Sequence, residues 1–255
     1  MDFYLDSSAK LDKSCTIGRF SVVGKGVKIG KNVVIGSNVV IHAGVEIGDN
    51  SIIGDGVILG QQPSLSKLSS LSYNKELPGL IIGRGVKIGS NAVVYAGSVL
   101  KDEVTVGDFA SIREHCVVGP SSLIGRQVTL ENQVKIGPAT RIQTGAYITA
   151  YSEIGENVFI APMVITTNDN YLGRTEERKE KIKGVTIRRG ARIGAGVIIL
   201  PGLEIAEESF IAAGSLVSRN TKPATVYMGI PAHPIRPVSP AELLSGEEIA
   251  SDTLY

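Results

Sequence analysis

The sequence predicts an all-β chain wound as a parallel β-helix, and three observations carry that prediction. An aliphatic residue recurs every six positions, from Leu5 to Leu59, from Ile82 to Ile160 and from Ile187 to Val217. All 30 of these positions are Leu, Ile or Val. Four residues after each one, outside the first interruption, stands a small or β-branched residue such as Ser21, Val27, Ala92, Cys116 or Ser152, with Leu203 the bulkiest. A six-residue period fits neither a helix nor an ordinary strand. It is the repeat of a parallel β-helix in which each hexad makes one short strand and one corner.

Three hexads close one triangular coil, so 30 hexads make about ten coils. Stacked at the inter-strand spacing, they form a prism roughly 48 Å long. The aliphatic ladder fills the axis, and the small residue fits inside each corner. Asp49-Asn50, Asp55-Gly56 and Lys31-Asn32 supply turn chemistry at corners.

The ladder is broken twice. The gap from Leu59 to Ile82 is 17 residues longer than one hexad and holds a polar, Ser-rich excursion, a loop at about 61–81. The gap from Ile160 to Ile187 is 21 residues longer and places a second loop at about 162–186. Solenoids tolerate insertions at corners, and such loops usually carry binding function. The prism therefore covers 1–222, with an extended tail at 223–255. Pro223, Pro231, Pro234 and Pro237 keep the tail extended. Ser239-Pro240-Ala241-Glu242 reads as the start of a short C-terminal helix to about Ala250, covering the open end.

Aromatic content is 5% with no Trp, as a thin aliphatic core requires, and Gly is abundant. The net charge of +1 gives no general pull toward nucleic acid or a membrane surface. No apolar run reaches membrane-spanning length and no signal peptide is recognised, so a cytoplasmic location is expected. Cys15 and Cys116 both fall on the inward corner position, coils apart, as small core residues rather than a disulfide or a metal pair.

The three faces are unequal. Assigned in rotation, the residue after the aliphatic is Gly in seven of ten hexads on the second face, six of ten on the third and two of ten on the first. On the first face it is instead Asp6, His42, Tyr95, Arg113, Glu131, Thr149, Arg188 or Ala206. Stacking makes Arg113, Glu131 and Thr149 one polar column, and His115, Gln133 and Tyr151 a second. This edge is the expected functional groove, or a subunit contact, or both.

A hexapeptide ladder of this length resembles the left-handed β-helix acyltransferase superfamily. The resemblance implies left-handed coils, a homotrimer, and active sites between neighbouring subunits that use acyl-CoA or acyl carrier protein. Val226-Tyr227-Met228-Gly229-Ile230-Pro231-Ala232 is similar to the closing segment of that superfamily, and Ala212-Ala213-Gly214-Ser215-Leu216-Val217 to its coenzyme-side coil. Thr167-Asn168-Asp169-Asn170-Tyr171, Gly173-Arg174-Thr175-Glu176-Glu177-Arg178 and Lys183-Gly184-Val185 are similar to the N-acetyltransferases of dTDP-linked 3-amino-3,6-dideoxyhexoses. Tyr147 to Ile154 adds to that likeness. The first loop resembles the acceptor-side loop of the nucleotide-sugar acyltransferase that starts lipid A synthesis. The catalytic histidine of that relative stands in an Ala-His-Asp-Cys context. Here the stretch is Arg113-Glu114-His115-Cys116, so histidine is displaced by one position and Glu114 takes its place.

The resemblance implies an acetyl-CoA-dependent N-acetyltransferase whose amine attacks the thioester directly, with no metal. It implies Asp169 and Asn168 beside the acceptor amine, Glu131 nearby and His115 as the alternative base. Substrate contacts would come from Tyr73 and Asn74 in the first loop, Arg113, Asn132 and Tyr151 on the edge, and Asn170 and Arg174 in the second loop. Ala195, Gly196, Ala213 and Gly214 allow close backbone approach by the pantetheine arm, with Arg219 and Lys222 toward phosphate. Residues 174–192 hold eight Lys or Arg against three Glu, a second source of phosphate attraction. Nucleotide sugar, CoA and two further copies of the chain are the implied partners. Other acyl chains, UDP-amino sugars and a non-catalytic scaffold remain alternatives. A zinc lyase needs three gathered histidines, and His42, His115 and His233 are scattered.

Overall fold

The computed structural model describes residues 2–67, 69, 71, 73 and 75–244. Nearly every hexad forms a two-residue strand, and the strands stack into three sheets of 11, 10 and 12 strands. Pairing is parallel throughout, except where the tail returns. Ladder residues point inward: Leu59, Leu100, Ile112, Leu130 and Ile148 are fully buried. Each such side chain contributes about 1.5–3 kcal/mol through burial.

Inward corner residues are small because little room remains, and when polar they bond to the adjacent coil. Thr140 donates its hydroxyl to the Gly155 carbonyl at 2.7 Å and accepts the Val158 N–H at 3.1 Å. Asp49 accepts the Lys31 N–H at 2.7 Å, tying one corner to the next. Close stacking also explains the glycines of the second face. A Cβ on Gly48 would sit 2.6 Å from the backbone of Gly83. The first-face corners accept side chains instead, which is what permits a polar column there.

The sheets hold more strands than the ten coils counted from aliphatics, and one of the added strands moves a boundary. Ile165–Thr166 is a strand, paired with Ile198–Ile199, and Thr166 occupies a buried ladder position. The second loop therefore runs from 167 to 185, not from 162. The rotation shifts with it. Thr186–Ile187 and Glu204–Ile205 lie on the second sheet, so Arg188 and Ala206 leave the first-face column. Their places on the first face go to Thr167, Leu200 and Ser218.

This shift has a functional consequence. The first loop, 62–80, leaves the strand Ile58–Gln61, and the second leaves Ile165–Thr166, both on the first sheet. Both rejoin on the second sheet, at Ile81–Ile82 and Thr186–Ile187. The two loops thus replace the same corner, five rungs apart in the strand order, a separation of about 24 Å.

The tail closes one end. Thr225–Met228 pairs in parallel with Phe210–Ile211 and antiparallel with His233–Pro237. The expected helix is a single 3-10 turn, Pro240–Glu242, where Arg192 meets Glu242 at 2.9 Å. The remainder of that predicted helix, 245–250, lies outside the described residues. No helix among the described residues is long and apolar enough to cross a membrane.

Candidate active site

Each loop is tied at its base. Gln62 donates to the Leu77 carbonyl and accepts the Leu77 N–H, both at 2.9 Å. The Pro78 carbonyl then accepts the Gly97 N–H at 2.7 Å, laying the first loop along the next coil. In the second loop the Asn168 carbonyl accepts the Lys183 N–H at 3.0 Å. Between those ends a one-turn helix, Arg178–Lys181, forms.

The loops approach each other over the shared corner and flank an open cavity of about 370 Å³. Ser69 and Leu71 come from the first loop, and Asn168, Asp169, Arg178 and Ile182 from the second. The floor is the expected column, Arg113, Glu131 and Thr149, joined by Asn132, Tyr147, Ala150 and Tyr151. Six predicted site residues therefore meet: Asn168, Asp169, Glu131, Arg113, Asn132 and Tyr151. Asn132 is buried and its Nδ2 has no hydrogen-bond partner. A buried donor without a partner is costly.

Asp169 is an ion-paired turn residue. Its carboxylate accepts the Tyr171 N–H at 2.8 Å, the Gly173 N–H at 2.9 Å and Arg178 Nη1 at 3.2 Å. The Gly173 and Tyr171 amides, then Arg178, hold it below the usual carboxylate range. That makes Asp169 a poor proton acceptor and a strong organiser of the loop. Glu131 is engaged more loosely, 3.5 Å from Arg113 Nη1. Tyr147 is pushed above the ordinary phenol value by burial and by the neighbouring Glu131 charge.

Beneath the first loop, Glu114 is fully buried. Arg113 Nε and Nη2 donate to its two oxygens at 2.9 and 3.1 Å, and Tyr73 donates its hydroxyl at 3.2 Å. The Arg113 guanidinium lies 5.3 Å over the Tyr95 ring. Tyr95, Arg113, Glu131 and Tyr147 thereby form one linked stack in which charge is paired internally.

A second cavity, of about 540 Å³, opens beside the first and is lined by Tyr73, His115, Gln133, Lys135, Tyr151 and Glu153. Tyr151 belongs to both. His115 faces this second space, packed 5.7 Å from the Tyr73 ring. The predicted imidazole and carboxylates are therefore on different sides of Tyr151. Two grooves, of about 570 and 600 Å³, cross the second sheet, one reaching Ile81-Ile82 and the other Thr186-Ile187, where the loops rejoin.

Other predicted residues stand apart. Asn170 and Arg174 are exposed and outside both cavities. Asn74 lies outside the described residues. The Gly214 N–H bonds the Ala195 carbonyl at 2.8 Å, so Ala195-Gly196 and Ala213-Gly214 stack at one corner. A Cβ on Gly196 or Gly214 would meet nothing within 4 Å, leaving that backbone open to approach. Arg219 and Lys222 follow the strand Leu216–Val217 and belong to the next corner and the tail. The basic run is largely neutralised: Arg178 pairs with Asp169, Lys181 with Glu177, Arg188 with Glu204, Arg189 with Glu156 and Arg192 with Glu242.

Sequence reasoning did not select Glu114, Tyr147, Arg178, Ile182, Ser69 or Leu71. Only the pairing of Arg113 with its neighbour Glu114 carried a usable signal, since a carboxylate beside a column arginine can turn back onto it.

Two repeat families match the sequence. The bacterial transferase hexapeptide (six repeats) covers residues 8–43 and 26–61, and the hexapeptide repeat of succinyl-transferase covers 79–107 and 180–201. All four matched segments run along the ladder of the prism. It is 32% identical over 130 residues to the bifunctional protein GlmU of Thermotoga petrophila, covering 51% of this chain and 27% of that one. It is 36% identical over 89 residues to the galactoside O-acetyltransferase of Escherichia coli K12, covering 34% and 44%. The match thus spans less than half the length of either relative. Among solved structures, the UDP-N-acetylglucosamine acyltransferase of Francisella novicida aligns over 94% of this hexapeptide-repeat chain and 74% of its own, at 19% identity and TM-score 0.47.

Proposed function

We propose that this hexapeptide-repeat protein is an acetyl-CoA-dependent N-acetyltransferase of a nucleotide-linked amino sugar, with a dTDP-linked 3-amino-3,6-dideoxyhexose as acceptor. The observation that carries the reading is the convergence of both loops on one polar cavity holding Asn168, Asp169, Glu131 and Asn132. Named relatives that share the repeat, among them the galactoside O-acetyltransferase and a serine acetyltransferase from Buchnera aphidicola, support acetyl transfer as the chemistry.

In this reading the sugar enters the loop-covered cavity. Asn168 holds a hydroxyl of the sugar. Asp169 keeps the loop folded through Arg178, and Glu131 receives the ammonium proton so that the free amine attacks the thioester carbonyl. Held together, the two reactants need no further activation than orientation. The departing thiolate takes the last proton, since thiols of this kind titrate near about 8.5. The pantetheine arm runs along the open Gly196–Gly214 corner.

A trimer fits the surface. The outward residues of the first sheet include Val22, Val40, Ile58, Val93, Ser111, Thr129, Tyr147, Ile165 and Ile198, none charged. On the second sheet Lys10, Lys28, Glu46, Lys135, Glu153 and Glu204 face outward. A second copy seated on the uncharged face would lie alongside Tyr147 and complete the cleft.

A thiol-release assay with acetyl-CoA and a panel of dTDP- and UDP-amino sugars tests the reading. Release that depends on a dTDP-3-amino sugar is expected. Absence of release with every amino sugar overturns it.

A further inference from the structure

The second cavity has no role in the acetyl transfer described above, yet it is built with care. Three ring side chains, Tyr73, His115 and Tyr151, share its wall with the Gln133 amide. His115, Gln133 and Tyr151 all adopt left-handed backbone, with φ of 59°, 60° and 65°. At the equivalent position in other coils of this corner stand Gly26, Gly44, Gly97 and Gly202. Left-handed backbone is the rule at this corner position of the prism, filled by glycine in other coils of this corner and by residues such as Phe20, Asn50, Phe109 and Met163 on the other corners. In three successive coils between the two loops the position carries the large side chains of His115, Gln133 and Tyr151, which line the cavity.

The wall is also fixed before anything binds. Tyr73 is the first loop's contribution, and its hydroxyl is anchored on the fully buried Glu114 at 3.2 Å. Its ring meets His115 at a 58° tilt, so the two rings brace each other. Charge is cancelled at the rim, where Lys135 Nζ lies 2.8 Å from Glu153. The space is thus aromatic, neutral and supplied with one exposed amide. Those features suit a flat ring bearing hydrogen-bond donors and acceptors, and they do not suit a phosphate.

We propose that this cavity is a nucleobase subsite, with Gln133 reading the edge of the base and the Tyr73, His115 and Tyr151 rings contacting its faces. The inference rests on the acetyltransferase reading for its two sources of a base: the nucleotide of the acceptor sugar, or the adenine of coenzyme A. The shared wall at Tyr151 places the base one side chain away from the sugar cavity.

Calorimetric titration of the full-length protein with dTDP, UDP and ADP tests this, using wild type, Gln133→Ala and His115→Ala. At least one nucleotide should bind wild type and weaken about tenfold in Gln133→Ala, the loss of one polar contact, with a similar drop in His115→Ala. A pyrimidine nucleotide responding identifies the acceptor's base; ADP responding identifies the coenzyme's adenine. Binding that is equal in all three proteins, or absent from wild type, overturns the proposal. The two readings fail separately. Unchanged nucleotide binding in the variants with intact amino-sugar-dependent thiol release removes the subsite alone. Lost nucleotide binding in Gln133→Ala with no thiol release from any amino sugar removes the acceptor assignment alone.

Discussion

Arg113 and Glu114 are neighbours in sequence, and the guanidinium of one closes on the carboxylate of the other through bonds of 2.9 and 3.1 Å. Glu114 is fully buried, while the Arg113 side chain is 27% exposed. Removing the carboxylate leaves Arg113 with its longer ion pair to Glu131 and the Tyr95 ring, and takes the acceptor from Tyr73. Glu114→Ala should therefore cost about 2–3 kcal/mol, less than an entirely buried pair because Arg113 retains water. Urea denaturation of the two proteins measures it. Equal midpoints would mean that the buried carboxylate holds nothing in place.

The same latch has a pH limit. Burial first, then the Glu114 charge, pushes the Tyr73 phenol up to about 12. A raised pKa means that the folded loop favours the protonated phenol. The contribution is complete below the ordinary tyrosine value of about 10 and fades as pH rises from there through the folded pKa. Subtracting the phenolate absorbance titration of Tyr73→Phe from that of wild type should isolate one late-titrating tyrosine. A difference curve centred at the ordinary value would show that Tyr73 is not held.

Stability should vary along the axis. Leu130 is fully buried between coils, whereas Leu5 at the first coil is 41% exposed. Leu130→Ala should cost about 2–5 kcal/mol through lost transfer energy and a cavity that stacked backbones cannot close. Leu5→Ala should cost under about 1 kcal/mol. Thermal unfolding of both variants distinguishes a graded solenoid from one whose ends and middle contribute alike.

Thr166 explains where sequence reading slipped. It is a ladder residue, buried like its aliphatic equivalents, but its type hid the hexad and moved the second loop to the wrong corner. Its hydroxyl also interrupts the regular pairing: Thr166 Oγ1, not a carbonyl, accepts the Thr149 N–H at 2.8 Å. The regular pairing resumes at Thr167, whose N–H bonds the Ile199 carbonyl at 3.1 Å, and the loop leaves after it. Thr166→Val leaves the Thr149 N–H, buried in the floor of the cavity, without its acceptor. A loss of about 1–3 kcal/mol is expected, visible as faster amide exchange at Thr149. Retained protection there would mean that the strand re-pairs through its own carbonyl.

What the sequence carried was whatever stacking dictates. The column Arg113, Glu131, Thr149 was readable because residues one coil apart must lie above one another, and the cavity floor contains all three. Burial of Glu114 was not readable, because it depends on Tyr73 arriving from a loop far away in the chain. The basic run misled for a similar reason. Glu156, Glu204 and Glu242 neutralise it from distant coils and from the tail, and local charge counting sees none of them.

The sharpest division within the site lies between Asp169 and His115. Asp169 lines the loop-covered cavity with both oxygens engaged, and His115 lines the neighbouring one. Asp169→Asn keeps one acceptor but turns an amide toward the N–H groups and Arg178 that the carboxylate satisfied. The segment holding Asn168 should then shift, and a displacement of that order lowers kcat/KM by about 100-fold. Glu131→Gln should lower kcat by a comparable factor of about 100 by removing the proton acceptor. His115→Ala should cost less than about tenfold in kcat, since its imidazole meets the other side of Tyr151. A kcat loss in His115→Ala that exceeds both carboxylate variants would make the imidazole the base and move the acceptor amine into the second cavity.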